Sequence, residues 1–182
     1  VDLSTRISAL NEILDITSKT IIFDGDNGGR IEHLPLTINS MERQGVSAIV
    51  IEDKIGLKKN SLFKNQKDTK QDSIKNFCKK IKVAINARKS EDFLIAARIE
   101  SLILNKGIED ALKRAKAYSR AGADAILIHS KQKNPDEIFK FSKEFKKSGY
   151  AKPLIAVPSS YSKTYEKDLI KHGFKIVIYA NH

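Results

Sequence analysis

TIIFDGDNGG, residues 20–29, joins a short apolar run to two carboxylates and a pair of glycines. An apolar run of this length that is bounded by glycine predicts a buried strand. Asp24 and Asp26 are two residues apart, so at the end of a strand they can face the same side. Hard oxygen ligands suit Mg²⁺, but the same residue types are also favoured in ordinary turns. Taken alone, this stretch leaves both interpretations open.

The same arrangement recurs along the chain, with apolar runs separated by segments of helical periodicity. The predicted strands are residues 20–24, 47–52, 93–98, 124–129, 153–158 and 175–179. The predicted helices are one capped by Ser4, one starting at Asp72, and residues 34–44, 108–121, 136–147 and 166–172. Strands that alternate with helices pair in parallel through right-handed crossovers. No Gly-x-Gly-x-x-Gly follows a predicted strand, so a dinucleotide-binding fold is not supported.

Polar side chains stand at the ends of four successive predicted strands: Asp24 with Asp26, then Glu52, Arg98 and His129. Buried strands carry such charges at a high free-energy cost unless these are paired or bind something. The series predicts an α/β fold of the (β/α)8 TIM-barrel type, with the active face at the carboxyl ends of the strands. An internal salt-bridge cluster is the structural alternative.

A complete barrel has eight strands and about 250 residues, whereas this chain has 182 residues and about six predicted strands. We therefore expect residues 1–182 to form a single, partial barrel domain in which the first strand and the last unit are missing. The rhythm breaks at residues 53–70, which are rich in lysine and lack periodicity. A connection of this length is typical of a functional lid or of a disordered segment, and we expect a lid loop.

The composition narrows the class of protein. One cysteine rules out an internal disulfide and points to a reducing compartment, and Cys78 lies on the apolar stripe of its helix, where we expect a core residue. No apolar run approaches the roughly 20 residues of a membrane helix, so we expect a cytoplasmic protein without a membrane partner. The net charge is +11, but the lysines are scattered over the predicted helices and mixed with acidic residues. The lysine-rich segment has only Phe63 as an aromatic residue on which a base could stack. We therefore expect small anions rather than nucleic acid as partners.

Five segments together match a known family. They are DGDNGG at 24–29, EDKIGLKKNSLF at 52–63, ARIESL at 97–102, AGADAILIHSK at 121–131 and VIYANH at 177–182. The sequence resembles the phosphoenolpyruvate mutase family, within the isocitrate lyase/phosphoenolpyruvate mutase superfamily, over essentially its whole length. Lys58, Asn60 and Ser61 match the mutase pattern of a lysine, one residue and Asn-Ser. Lyases of the superfamily carry a catalytic cysteine in this loop, and its absence here argues against carbon–carbon cleavage.

The resemblance implies a reaction and a cofactor. The reaction is the interconversion of phosphoenolpyruvate and phosphonopyruvate, in which a phosphoryl group shifts from the enol oxygen to carbon 3. Mg²⁺ would be held by Asp24, with Asp26 and Glu52 acting largely through bound waters. The substrate is then a small molecule, and the resemblance also implies a homo-oligomer.

The resemblance further implies roles for five residues. Arg98 and His129 would orient the substrate and stabilise the transferring group, while Lys58 and Asn60 would close over it, with Ser61 as a further substrate contact. Such roles agree with what phosphoryl transfer needs, which is positioning, charge neutralisation and exclusion of water. Polar residues just beyond the strand ends, Glu100 and Ser130, are candidate supporting partners.

Departures from the family pattern leave alternatives open. The backbone cradle and additional aspartate that the family's first strand supplies have no counterpart here, so we expect these 182 residues alone to be inactive. The family's Gly-aromatic-Gly-Asn is here the shorter Gly28-Gly29-Arg30. A phosphonopyruvate hydrolase, built from nearly the same site, is the nearest rival. A non-catalytic binding or scaffold domain and a basic nucleic-acid binder are rivals from other classes.

Overall fold

A computed structural model of the chain describes residues 3–56 and 70–179, in which strands and helices alternate except for three successive strands between the second and third helices. The helices are α1 (Leu3–Leu14), α2 (Leu34–Arg43), α3 (Ile74–Ala87), α4 (Gly107–Arg120), α5 (Asp136–Lys147) and α6 (Glu166–Lys171). The strands are β1 (Ile22–Asp24), β2 (Ala48–Glu52), β3 (Lys54–Ile55), β4 (Lys70–Gln71), β5 (Leu94–Ile99), β6 (Ala125–Ile128), β7 (Leu154–Ala156) and β8 (Phe174–Val177).

The main sheet has six parallel strands in the order β1-β2-β5-β6-β7-β8. Each strand lies beside the one that precedes it in the chain, apart from a short ribbon formed by β3 and β4. A doubly wound sheet would reverse direction at its middle, whereas this order winds one way, as a barrel does. The predicted fold class is therefore confirmed: the sheet is an incomplete (β/α) barrel of six parallel strands.

Two apolar layers cover the two faces of this sheet. The larger lies between the sheet and the helices, and alternate strand residues such as Ile49, Ile95 and Ile126 are fully buried in it. The smaller layer lies on the opposite side, here called the inner face. It comprises Val50, Ala96, Ala125, Leu127 and Ile155. Because successive side chains along a strand point to opposite faces, every second residue faces the inner face and the residues between face the helices.

The predicted loop over residues 53–70 begins and ends with two short strands, which sequence periodicity did not predict. Lys54–Ile55 and Lys70–Gln71 pair as the antiparallel ribbon β3–β4. Two-residue strands are too short to carry a periodic pattern, so only their pairing across the loop defines them. The remainder of the predicted lid, residues 57–69, lies outside the described residues.

Two described helices end at glycines, as the sequence indicates, whereas the predicted start of α1 is displaced. Gly45 and Gly122 end α2 and α4 with φ values of +86° and +108°, a conformation that glycine adopts without a Cβ penalty. The prediction that Ser4 caps α1 is wrong: the helix begins at Leu3, so Ser4 lies inside its first turn.

Cys78 is partly buried against the core, as expected of a packing residue. None of the described helices combines the length and apolar character needed to cross a membrane.

Candidate active site

The predicted polar residues of the central strands continue the inner face at its carboxyl end. Glu52, Arg98 and His129 each lie two residues after an inner-face residue of their own strand, so they point to the same side. Glu52 and Arg98 are also direct register partners of β2 and β5. The parallel strands thus bring three side chains that are far apart in the sequence to the carboxyl end of the inner face, here called the mouth.

These side chains form a buried network with two further residues. Arg98 Nε lies 2.5 Å from Glu100 Oε1 and 3.6 Å from Glu52 Oε2, and Arg98 Nη2 lies 2.8 Å from His129 Nδ1. Lys54 Nζ lies 3.5 Å from both Glu52 Oε1 and Glu100 Oε2. The side chains are at most 16% exposed. We call these five residues the mouth cluster: Glu52, Lys54, Arg98, Glu100 and His129.

The charges of the mouth cluster balance one another. Burial raises the pKa of Glu52, and the nearby carboxylates Glu100 and Asp24 act in the same direction, against Arg98 and Lys54. Burial would also raise the pKa of Glu100, but the positive charges of Arg98 and Lys54 outweigh it and hold this pKa well below its ordinary value. Glu100 is therefore a permanent anion that anchors the cations around it.

His129 is held neutral. Burial lowers its pKa, and the positive charge of Arg98 acts in the same direction, so these effects outweigh the opposite influence of Glu100. A guanidinium can only donate hydrogen bonds, so Nδ1, 2.8 Å from Arg98 Nη2, must accept one. Nδ1 also lies 3.2 Å from Glu100 Oε1, but two acceptors cannot share a hydrogen bond, so this approach is a contact only. The ring proton then resides on Nε2, and His129 can act as a neutral hydrogen-bond donor.

Residues 24–29, at and after the end of β1, are here called the β1 loop, and its carboxylates are held differently from those of the mouth cluster. The backbone N–H of Asp26 donates to Asp24 Oδ1 over 3.1 Å, and Asp26 adopts a left-handed φ of +52°. From α1, Arg6 Nη1 lies 2.9 Å from Asp26 Oδ2, while its Nη2 donates to the carbonyl of Asp24. Lys80 donates to the carbonyl of Asn27 over 2.6 Å and so fastens the loop to α3. The loop is thus shaped mainly by its own backbone turns and by cations from two helices.

The predicted metal ligands do not form a ready-made site. Within residues 3–56 and 70–179, no three histidine, cysteine, aspartate or glutamate side chains come together as a metal site. Asp24 nevertheless lies close enough to Glu52 to contribute to its raised pKa. Two hard carboxylates in that relation fit Mg²⁺ held partly through its waters, since Mg²⁺ keeps several waters and binds through one or two carboxylates. They do not fit a cation held by three direct carboxylate ligands.

Some site residues were predicted from sequence and others were not. Glu100 contacts Arg98 and His129, as a supporting partner would, whereas Ser130 donates to Glu137 on α5 instead. Lys54 was missed, although its position two residues after Glu52 places it on the same side and could have signalled it. The predicted substrate contacts Lys58, Asn60 and Ser61 lie outside the described residues.

Comparison with known proteins gives consistent matches over the whole chain. The sequence model of the phosphoenolpyruvate phosphomutase family matches residues 1–182. Phosphoenolpyruvate phosphomutase of Tetrahymena pyriformis is 39% identical over 179 residues, which cover 97% of this chain and 58% of that protein. Phosphonopyruvate hydrolase of Variovorax sp. (strain Pal2) is 41% identical over 188 residues, which cover 100% of this chain and 62% of that protein. The chain thus spans less than two thirds of the length of these relatives.

Solved structures agree with the sequence matches. The crystal structure of phosphoenolpyruvate phosphomutase from Streptomyces platensis subsp. rosaceus superposes with a TM-score of 0.93 at 31% identity, covering 100% of this chain and 62% of that one. A crystal structure of phosphonopyruvate hydrolase in complex with oxalate and Mg²⁺ gives a TM-score of 0.88 at 38% identity, covering 100% of this chain and 61% of that one.

Proposed function

The chain belongs to the phosphoenolpyruvate phosphomutase family, and from this premise we propose that the protein interconverts phosphoenolpyruvate and phosphonopyruvate. In the forward direction the bond between phosphorus and the enol oxygen breaks, a bond between phosphorus and carbon 3 forms, and the enol becomes a ketone. No water enters and no proton is lost overall. The protein is then an isomerase that acts on a small molecule.

The mouth cluster is the observation that carries this proposal. Both substrates bear a carboxylate and a phosphorus group, and Arg98 offers a planar donor that can bind either one through two hydrogen bonds. His129, neutral and protonated on Nε2, can donate to a carbonyl or phosphoryl oxygen without adding charge. Arg98 donates to Glu100 over 2.5 Å and to His129 Nδ1 over 2.8 Å, so both side chains need little reorganisation when the substrate binds.

We propose Mg²⁺ as the cofactor, with Asp24 as its main protein ligand and Asp26 and Glu52 acting largely through bound waters. The cation would neutralise charge on the substrate's oxygens during phosphoryl transfer. Support comes from the negative charge of Asp24, which lies close enough to Glu52 to raise its pKa further, and from the Mg²⁺ in the phosphonopyruvate hydrolase complex. We also assign substrate contacts to Lys58, Asn60 and Ser61, on the match of these residues to the mutase pattern.

Phosphonopyruvate hydrolysis is the second candidate. A phosphonopyruvate hydrolase is as similar to this chain as the mutases are, at 41% identity. In that reaction water attacks phosphorus, the phosphorus–carbon bond breaks, and pyruvate and phosphate leave. The two reactions can share the same carboxylate and phosphonate contacts, so they differ in whether water reaches the transferring group.

The ³¹P NMR spectrum of the protein, in its natural full length, with phosphonopyruvate and Mg²⁺ distinguishes these candidates. A phosphoenolpyruvate resonance that is lost in Asp24→Ala is expected of the mutase. Inorganic phosphate, with pyruvate in the proton spectrum, would replace the mutase by the hydrolase. An unchanged phosphonopyruvate resonance would contradict both and favour a non-catalytic domain.

Four expectations remain predictions. These are the cytoplasmic location, the homo-oligomer, the lack of a nucleic-acid partner, and the organisation of residues 1–182 as one partial barrel domain with a lid loop at 53–70. Chromatography on a polyanion over a range of salt concentrations tests the third, because binding to nucleic acid weakens steeply with salt. Light scattering tests the second.

A further inference from the structure

A second buried polar network lies behind the mouth cluster, on the helix side of the sheet. Its centre is Asp53, which is fully buried and directly follows Glu52. Asp53 Oδ2 accepts hydrogen bonds from Tyr118 Oη at 2.7 Å, from Gln71 Nε2 at 2.9 Å and from Arg114 Nη1 at 3.1 Å. A fourth hydrogen bond reaches Asp53 Oδ1. One cation would neutralise the charge of this carboxylate, so the further donors point to an additional role.

The fourth bond connects this network to the mouth cluster. The backbone N–H of Glu100 donates to Asp53 Oδ1 over 3.0 Å, and the Asp53 N–H donates to the carbonyl of Arg98 over 3.1 Å. Asp53 therefore fixes the backbone on both sides of Ile99, at the point where β5 ends. The side chains that leave this backbone are those of Arg98 and Glu100. Glu100 accepts from Arg98 Nε, and Arg98 Nη2 donates to the ring of His129.

The donors on α4 are themselves held in place. Arg114 Nη1 donates to Tyr118 Oη over 2.8 Å, and Arg114 Nε donates to Asp110 Oδ2 over 2.8 Å. The ring of Tyr118 packs against Phe77, with 4.7 Å between ring centroids. The Tyr118 hydroxyl thus accepts from Arg114 and has its proton directed at Asp53. A helix in the outer layer is connected in this way to residues that face the inner mouth.

We propose that Asp53, Arg114 and Tyr118 form a positioning hub that sets the orientation of Arg98 and His129 through the backbone at Glu100. The effect on turnover rests on the proposed function, whereas the effect on the geometry of His129 does not. We call them positioning residues because they act on Arg98 and His129 and do not themselves contact the substrate. A buried network that only stabilised the fold would leave the state of the His129 ring unchanged in molecules that remain folded.

Tyr118→Phe and Asp53→Asn test the hub, and Ser119→Ala is the matched control. Tyr118→Phe removes one hydroxyl and keeps the ring against Phe77. Ser119→Ala also removes a buried, hydrogen-bonded hydroxyl from α4, but the Ser119 bond runs to the carbonyl of Ala115 within the helix. The measurements are the ¹⁵N spectrum of labelled histidine, assigned with His129→Gln, the kcat and KM for phosphonopyruvate, and the urea midpoint.

In the wild type we expect His129 to show a protonated Nε2 and an unprotonated Nδ1. Tyr118→Phe should shift or broaden these resonances and lower kcat about tenfold, a typical effect of losing an outer hydrogen-bond partner, with a smaller change in KM. Asp53→Asn should have the larger effect, and Ser119→Ala should leave both the spectrum and kcat unchanged.

Wild-type His129 resonances together with wild-type kcat in Tyr118→Phe would overturn the hub, even if the urea midpoint fell. If Asp53→Asn does not fold, Tyr118→Phe decides alone. All these measurements use the protein in its natural full length. If that wild-type protein does not turn over phosphonopyruvate, the proposed function fails, and the histidine spectrum still decides the hub.

Discussion

The mouth cluster and the β1 loop carry similar acidic residues, yet they are built in opposite ways. In the mouth cluster, Glu100 is completely buried and lies among two cations and an imidazole. In the loop, Asp24 is exposed, and the side chain of Asp26, at 31% exposure, pairs with Arg6. Burial strengthens charge pairing and makes its loss expensive, so the first region is rigid by construction, while the second depends on turns and on solvent.

Under the proposed function, this difference suits the two regions to separate tasks. A rigid, charge-balanced cluster suits the binding of an anionic substrate, because its donors are already oriented. An exposed pair of carboxylates suits a hydrated cation, because Mg²⁺ retains waters and needs room for them. The variants below should therefore affect stability mainly in the mouth cluster and cation affinity mainly in the loop.

The largest expected effect is on stability. Arg98→Ala leaves two buried carboxylates with one cation fewer, so we expect the free energy of unfolding to fall by about 3–5 kcal/mol. Asp26→Asn, which keeps a residue type tolerant of positive φ and weakens a partly exposed ion pair with Arg6, should cost less than about 1 kcal/mol. Urea denaturation measures both. Equal losses would show that the two regions do not differ as described.

Cation affinity should give the next largest effect, in the other region. We expect Asp24→Ala to weaken Mn²⁺ binding about tenfold to a hundredfold, as followed by electron paramagnetic resonance of free Mn²⁺. The free energy of unfolding should change little, because Asp24 is exposed. Asp92→Ala, at an exposed position before β5, is the control. Unchanged Mn²⁺ affinity in Asp24→Ala would place the cation elsewhere.

The shape of the β1 loop should depend on one glycine more than on its neighbour. Gly28 has a φ of +76°, and a Cβ there would lie 3.1 Å from Ile51 Cγ2, whereas Gly29, at +64°, has nothing within 4 Å of that position. Left-handed backbone costs a residue with a Cβ about 1–2 kcal/mol. Gly29→Ala should show this cost alone, and Gly28→Ala should exceed it in the same denaturation experiment. A larger loss in Gly29→Ala would refute the close approach of the loop to β2.

The smallest expected effect is a pH dependence in the mouth cluster. Burial lowers the pKa of His129 in the folded protein. Below about pH 6.5, the ordinary histidine pKa, this side chain therefore binds more protons in the unfolded chain than in the folded one. Stability should therefore fall as the pH falls below about 6.5. His129→Asn should flatten this part of the profile between pH 7 and pH 5. An identical slope in both proteins would show that His129 does not titrate as the structure implies.

Sequence periodicity was sufficient for the fold and for the mouth, because both depend on local patterns. Apolar runs that end in Glu52, Arg98 and His129 predicted the strands and the side on which these residues meet. The sequence order of the strands also became their order in the sheet, so no long-range pairing had to be guessed.

The rest depends on contacts that no local pattern encodes. The ribbon β3–β4 exists only because two short segments meet across a long connection. Arg114 and Tyr118 look like one charged and one apolar position of a helix, and their shared partner Asp53 is more than 60 residues away. The pairing of Asp26 with Arg6 is likewise a tertiary contact, across 20 positions of the chain, and the spacing of Asp24 and Asp26 gives no sign of it.

The most direct test of the proposed function is the consumption of phosphonopyruvate, followed by ³¹P NMR in Arg98→Lys and Arg88→Lys. Both variants keep the positive charge, but lysine cannot reproduce the planar two-donor contact of arginine. Arg88 pairs with Asp124 at the opposite end of the sheet and supplies the control. We expect Arg98→Lys to lose conversion of phosphonopyruvate to phosphoenolpyruvate and Arg88→Lys to retain it. Full conversion by Arg98→Lys would contradict the placement of the substrate at the mouth cluster.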